Sequence, residues 1–328
     1  MADGRLIAVT GATGFVGRHM VRALLERGHR VRALARSEAK ARRVLPSDGV
    51  EIVQGEVLDG SSPGKLVRGA DAVIHLIGII REVGGGQVFK RMHTEATRVV
   101  VAAASAGGVT RFLHMSALGA NPEGVSKYQK TKFDAERAVM ASDLDWTIFR
   151  PGLIHGPDGE FFQLMKGWCE GRSAPFLFMP YFTRVEVDVP TTPRIPALPR
   201  VEAPLVAPVH VDDVCDAFCE ALERDQSIGE IYQLTGPEEI RWPDMLRLVR
   251  DTLPQGNRSL KAIGIPSKAA AAQAVAAKAV GIGSLLPFDE GMALMGGEDS
   301  SCDTTKARLQ LGFEPRAFGE SVAEYAGA

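Results

Sequence analysis

The chain is poor in cysteine, close to neutral, and without a long uninterrupted apolar run. Its four cysteines, Cys169, Cys215, Cys219 and Cys302, make no C-x-x-C pair and have no histidine-rich neighbourhood, which argues against a zinc site and a disulfide framework. They read as reduced thiols, with Cys215 and Cys219 one helical turn apart as small buried residues. A formal net charge of −2 removes the general electrostatic case for nucleic acid as a partner. No apolar segment reaches spanning length, and the first strand pattern begins too near Met1 to leave room for a signal peptide. A cytoplasmic protein, or one peripheral to a membrane, and no metal are therefore expected. With 328 residues, 45% hydrophobic and 24% charged, the chain suits a globular protein with one large domain or a main domain and a smaller second one.

What is present begins at Val9-Thr10-Gly11-Ala12-Thr13-Gly14-Phe15-Val16-Gly17, three glycines spaced G-x-x-G-x-x-G after an apolar run. Gly11 permits a sharp turn, Gly14 lets backbone approach a pyrophosphate, and Gly17 lets the next helix pack closely on a sheet. Val16, Met20, Ala23 and Leu24 share one helical face while Arg18, Arg22 and Glu26 fall on another, and Gly28 supplies the stop. A second strand pattern, Val31 to Ala35, follows at once. Strand, glycine turn, helix and strand in that order predict a dinucleotide site at Gly11, Thr13, Gly14, Phe15, Val16, Gly17 and Arg18, with phosphates at the positive helix start.

From there to about Arg150 apolar strands alternate with helices, which predicts an α/β, Rossmann-type doubly wound parallel sheet. Strands are expected at Leu6–Thr10, Arg30–Ala35, Val50–Gln54, Ala72–Ile77, Arg111–Ser116 and Trp146–Phe149, and helices at Phe15–Arg27, Val88–Ala106 and Lys127–Ala141. Ligands in such sheets bind beyond the carboxyl ends of the strands. At the second of these ends stands Arg36, where an acidic residue would suit a ribose 2′-hydroxyl and a basic one a 2′-phosphate. With Arg18 it would form a cationic clamp, so NADP(H) is favoured over NAD(H), although Glu38 nearby would serve a ribose. Glu56 and Val57 are placed to meet the adenine, and Leu76, Gly78 and Pro151 to line the rest of the nucleotide, with His75 a structural histidine at a strand end.

The candidate chemistry is Ser116 at the fifth strand end, followed by Tyr128 and Lys132 on the next helix. Positions i and i+4 share a helix face, so the ammonium lies near the phenol and is expected to lower its pKa. Such a tyrosine exchanges a proton with substrate during hydride transfer, while the serine hydrogen-bonds the substrate oxygen. The plain alternative is a half-buried tyrosine beside a surface lysine.

After Arg150 the alternation weakens, and residues 151–328 read as a smaller substrate-side domain, with a segment at about 205–235 returning to the first. Pro175 to Pro208 holds eight prolines and excludes helix. It reads as a long loop over the substrate cleft, or as a surface for a partner protein, a membrane face or a hydrophobic substrate, with Arg184 to Val189 alternating like a strand. Val209 to Leu222 returns to helix with Asp212 as its cap, Ile231 to Leu234 to strand, Trp242-Pro243-Asp244 opens a helix, and Lys268 to Val280 is an alanine-rich one. The oligomeric state is left open.

Thr10 to Gly17, Ser116, Tyr128-x-x-x-Lys132, Arg150-Pro151-Gly152 and Val209-His210-Val211-Asp212-Asp213 resemble the extended and atypical branches of the short-chain dehydrogenase/reductase superfamily across nearly the whole chain. More narrowly, residues 114–120, 150–157 and 234–238 look like the dinucleotide-binding accessory subunit family of respiratory complex I and its bacterial relatives. The resemblance implies that Tyr128 and Lys132 line the nicotinamide site, with Lys132 also on the ribose, and that the complex I relatives hold NADPH chiefly for structure. One departure is the eleven residues between Ser116 and Tyr128, fewer than in the superfamily's sugar-nucleotide epimerases and dehydratases. The expectation is an NADP(H)-dependent oxidoreductase. The alternatives are a nucleotide-holding accessory or assembly subunit, or a sugar-nucleotide epimerase or dehydratase.

Overall fold

A computed structural model describes residues 4–82, 88–187, 199–283 and 286–326. The chain divides into two compact units: Met1–Ile154 with Val209–Thr235 and Cys302–Arg316, and His155–Pro208 with Gly236–Ser301 and Ala317–Ala328.

In the first unit, β1 (Leu6–Thr10), α1 (Phe15–Glu26), β2 (Arg30–Ala35), α2 (Glu38–Val44), β3 (Val50–Gln54), α3 (Ser62–Val67) and β4 (Ala72–His75) come first. They are followed by α4 (Ala96–Ala106), β5 (Arg111–Met115), α5 (Lys127–Met140) and β6 (Asp145–Pro151). The returning segments add α6 (Val211–Leu222), β7 (Glu230–Leu234) and α7 (Thr305–Leu311). The seven strands form one sheet in the order β7-β6-β5-β4-β1-β2-β3, parallel throughout. It is the Rossmann-like α/β architecture expected. The chain leaves β1 in one direction to β2 and β3, then returns to β4 and continues the other way. The sheet therefore has its topological switch point between β1 and β4, beyond whose carboxyl ends sheets of this kind bind ligands. Thr10 and His75 are paired there.

Apolar residues bury both sheet faces, as parallel strands covered by crossover helices require. On one side α1, α6 and α7 pack over Ile7, Val9, Ile74 and Phe149, with the Phe149 and Phe218 rings stacked at 3.9 Å and Tyr232 beside them. On the other, α3, α4 and α5 cover Ala8, Val73, Phe112 and Ile148.

Three local expectations are corrected. β4 stops at His75, because after it the chain leaves the ladder toward the switch point. The helix expected from Val88 opens instead as a π-helical turn, Lys90–Glu95, before α4 continues it. α6 is capped by His210, whose Nδ1 accepts the Asp212 N–H at 3.2 Å. That leaves the Asp212 carboxylate in the first helical turn, where it binds His19 Nδ1 at 2.5 Å.

In the second unit, strand Met179–Val187 lies between Ala262–Pro266, parallel to it, and Pro199–Glu202, antiparallel. Helices Glu160–Glu170, Trp242–Thr252, Ser267–Ala279, Glu290–Met295 and Phe318–Tyr325 accompany this sheet. Among its described residues the segment 175–208 holds no helix, and it is not one long loop, since strands flank its middle; Asp188, Val189, Pro190, Pro193 and Pro196 lie outside the described residues. Alternation of the kind seen from Arg184 is what an antiparallel hairpin arm with one open face produces, and Val185 and Val201 sit opposite each other on it, both exposed. Ala270, Ala271 and Ala274 bury the alanine-rich helix on its own unit.

Candidate nucleotide and catalytic site

Two groups of residues meet at the carboxyl edge of the first unit's sheet. The first is made by leaving side chains out. Gly11 sits at φ +73°, where residues with a Cβ are strained, and turns the chain from β1 into α1. A Cβ on Gly17 would stand 2.1 Å from the Gly11 carbonyl oxygen and 2.7 Å from Ala12 Cα, so only glycine fits this crossing. No side chain caps α1 at Gly14 and no acidic residue lies in its first turn, which leaves the positive helix end open to an anion. Thr13 and Gly14 are exposed, Phe15 and Arg18 half-buried, and Val16 and Gly17 buried. This cradle fits a dinucleotide pyrophosphate. Beyond β2, Arg36 is exposed, whereas Glu38 is held by Arg42 Nε and Nη2 at 2.9 and 2.7 Å. After β3, Glu56 is exposed and Val57 is buried in the core beneath.

The second group is made of buried polar side chains. His75 shares its Nδ1 with Thr10 Oγ1 at 2.7 Å and its Nε2 with Thr97 Oγ1 at 3.0 Å, and burial pushes its pKa down to about 3. It is a neutral structural histidine, as expected. Its ring stacks on that of His114 at 5.4 Å; burial likewise keeps His114 neutral, and both its ring nitrogens lack a hydrogen-bond partner. Ser116 Oγ is buried without a partner too. Leu76 and Pro151 are buried, and Gly78 lies directly against Lys132, where a Cβ would meet Nζ at 2.9 Å.

Tyr128 and Lys132 stand one turn apart on α5, which begins with a reciprocal Ser126 and Gln129 capping box. Lys132 is 2% exposed, and its ammonium donates to the Met115 carbonyl at 3.0 Å while lying 6.0 Å from the Tyr128 ring centroid. The expectation that it lowers the phenol's pKa is corrected: desolvation pushes Tyr128 up to about 12. The same burial pushes Lys132 down to about 8, with Glu136 opposing it. In this arrangement the lysine serves a backbone carbonyl rather than the phenol.

Glu136, one further turn along α5, is fully buried and binds Arg150 Nε and Nη2 at 2.8 and 2.5 Å. Arg150, at the β6 end, thus anchors α5 to the sheet. Sequence reasoning gave His93 no role, yet it lies on the π-helical turn, edge-on to Tyr128 at 5.3 Å. The one signal available was the four-residue spacing of Phe89, His93 and Thr97, one stripe of a single helix face.

Among the described residues no group of three or more His, Cys, Asp or Glu side chains is arranged to hold a metal ion, and no helix is long and apolar enough to cross a membrane.

Residues 11–167 match the family model described as NAD(P)H-binding. The ceramide reductase of Caulobacter vibrioides is 38% identical over 154 residues, which is 46% of this chain and 47% of that protein. The mitochondrial NADH dehydrogenase [ubiquinone] 1 alpha subcomplex subunit 9 of Arabidopsis thaliana is 27% identical over 264 residues, 79% of this chain and 60% of that protein. The matches therefore span about half to three-fifths of these relatives. The solved dTDP-glucose 4,6-dehydratase of Streptomyces venezuelae, with NAD and TYD bound, superposes with a TM-score of 0.71 at 21% identity, covering 98% of this chain and 95% of that one, a likeness of fold. The expected resemblances, to short-chain dehydrogenase/reductase proteins and to the complex I subunit, are borne out, and residues 11–167 are similar to NAD(P)H-binding proteins.

Proposed function

We propose that this NAD(P)H-binding protein is an NADP(H)-dependent reductase of carbonyl groups, with Ser116, Tyr128 and Lys132 as its catalytic set. The observation that carries the reading is the orphaned, buried Ser116 hydroxyl, next in the chain to the carbonyl that holds the buried Lys132 ammonium. A buried polar atom left without a partner loses about 1–3 kcal/mol, a cost that sites for ligands commonly bear. Similarity to a ceramide reductase supports reduction, and a carbonyl on a long-chain amphiphile as its target.

A reduced nicotinamide, when bound, supplies the hydride to the carbonyl carbon. Gly11, Thr13, Gly14, Phe15, Val16 and Gly17 would hold the pyrophosphate, Glu56 and Val57 the adenine, and Leu76, Gly78, Tyr128, Lys132 and Pro151 the nicotinamide end. Ser116 Oγ–H donates to the carbonyl oxygen, and the Tyr128 hydroxyl gives that oxygen its proton. Lys132, once turned from Met115, stabilises the phenolate left behind. Arg18 and Arg36 are assigned to a 2′-phosphate, because Glu38, the nearby candidate for a ribose hydroxyl, is already bound to Arg42.

Tyr128→Phe should lower kcat for long-chain ketone reduction at least about a hundredfold with the fold intact. Activity near the wild-type level would remove Tyr128 from the mechanism. Arg36→Asp should weaken NADPH binding far more than NADH binding, and equal effects would remove the 2′-phosphate assignment.

A second reading, a nucleotide-holding accessory subunit, is favoured by the tightly held Tyr128 proton and by Lys132 bonding to backbone. Isolation from native membranes tests it. Recovery of a single soluble species with no partner and full turnover would end that reading.

A further inference from the structure

The π-helical turn Lys90–Glu95 and its N-cap, Phe89, carry two aromatic side chains toward Tyr128. Phe89 meets the phenol ring edge-on at 5.8 Å and 80°, and His93 meets it at 5.3 Å and 87°, while the two bracketing rings lie 5.3 Å apart. His93 is 1% exposed, so its ring cannot reorient in water.

Both of its nitrogens are engaged. Nδ1 lies 2.9 Å from Thr131 Oγ1 on α5, and Nε2 lies 3.2 Å from the Ile79 amide nitrogen and 3.1 Å from the Ile79 carbonyl oxygen, just past β4. Either neutral form is satisfied. With the proton on Nδ1, His93 donates to Thr131 Oγ1 and Nε2 accepts the Ile79 N–H. With the proton on Nε2, it donates to the Ile79 carbonyl and Nδ1 accepts the Thr131 hydroxyl. In the first form Thr131 keeps its own proton for the Lys127 carbonyl, 2.8 Å away. Burial, reinforced by Lys132, keeps the ring neutral. Gly78, between β4 and Ile79, is so close that a Cβ there would meet both Lys132 Nζ at 2.9 Å and His93 Nε2 at 3.7 Å.

We infer that His93 is a positioning residue for the nicotinamide half of the site: it clamps the Gly78–Ile79 backbone to α5 and brackets the Tyr128 ring, so that the strand exit and the phenol keep one spacing. The inference rests on the dinucleotide reading of the first unit. The adenosine half, formed by the glycine turn and Arg36, does not depend on the clamp.

That asymmetry gives the test. His93→Phe keeps an aromatic ring against Tyr128 but removes both hydrogen bonds. NADPH and adenosine 2′,5′-bisphosphate are titrated against wild type and variant, with NADH and 5′-ADP used in their place if the wild type prefers them. The dinucleotide should bind about tenfold more weakly, the loss of a buried hydrogen-bonded tie, while the adenosine fragment binds within about twofold of wild type. Thr131→Val, nearly isosteric and half-buried, breaks only the Nδ1 contact of the two that His93 makes, along with the hydroxyl's bonds to the Lys127 and Tyr128 carbonyls within α5, and should show a smaller loss with the same split; it carries the test should His93→Phe not fold. Equal weakening of both ligands, or no weakening in a folded variant, would overturn the clamp. A wild type that binds neither pair would instead overturn the dinucleotide reading. In that case the ring resonances of 13C-tyrosine protein decide on His93, since only four tyrosines are present and Tyr128 is assigned by Tyr128→Phe. A shifted Tyr128 signal in Thr131→Val keeps the bracket, and an unmoved one removes it.

Discussion

The two halves of the candidate site are built on opposite principles. Around β1 and β2 the chain works by omission: the glycines at 11 and 17 let the turn and the start of α1 cross closely, the helix end at Gly14 carries no side-chain cap, and the charged partner, Arg36, stands in water. Around β4, β5 and α5 it works by burial: His75, His93, His114, Ser116, Lys132 and Glu136 are all inside, some with every polar atom satisfied and some with none. The first half should cost the fold little and tolerate no bulk. The second should be coupled to folding and respond to pH. Stability given up where polar groups are buried is the common signature of a working site.

The largest break is expected in the buried half. Glu136→Ala leaves Arg150 as an uncompensated, half-buried cation, and should lower the unfolding free energy by about 3–5 kcal/mol, read from urea titration. In the open half, Gly17→Ala forces a methyl group into the Gly11 carbonyl and shifts the turn. Nucleotide affinity should fall about a hundredfold, as a displacement of about 1 Å in a site can cost, measured by nucleotide fluorescence.

Lys132 sharpens the contrast through pH. Its folded pKa is about 8 against the ordinary 10.5, so between those values the unfolded chain binds more protons and stability rises with pH. Comparing wild type with Lys132→Met, the wild type should gain ~2 kcal/mol relative to the variant from pH 8 to pH 10. A constant difference between the two unfolding curves would show that the ammonium is not desolvated. The smallest effect is expected from Arg36→Ala, which should change stability by less than about 0.5 kcal/mol while weakening nucleotide binding. A melting shift of several degrees would mean that the open half is structural after all.

The same contrast explains what could be read in advance. β1, β2 and β3 coincide with their predicted spans because each is a short apolar run closed by glycine or a charged turn. The glycine turn was legible for the same reason, since it is written in consecutive residues. The buried half is not: Glu136 and Arg150 meet only through α5 lying across β6, and His93 reaches Ile79 only because a π turn replaces the first turns of the expected helix. Apolar periodicity cannot distinguish a π turn from an α turn over six residues. The pKa of Tyr128 was misjudged because spacing puts Lys132 on the right face but says nothing of the Met115 carbonyl that draws its ammonium away, or of the desolvation.

The first unit closes only with segments far along the chain, and this bears on portability. The stretch that carries the nucleotide-binding likeness, 11–167, contains five of the seven strands, β2 to β6, but not β1, α6 or β7. Cut out on its own, it would leave β6 as a bare sheet edge and uncover Phe149 where Phe218 and Tyr232 now lie on it. A domain swap, fusion or deletion series drawn at that boundary would therefore transplant the glycine turn without the fold that supports it. The transferable piece is discontinuous, since His155–Pro208 and Gly236–Ser301 of the second unit interrupt it and Ala317–Ala328 follows it.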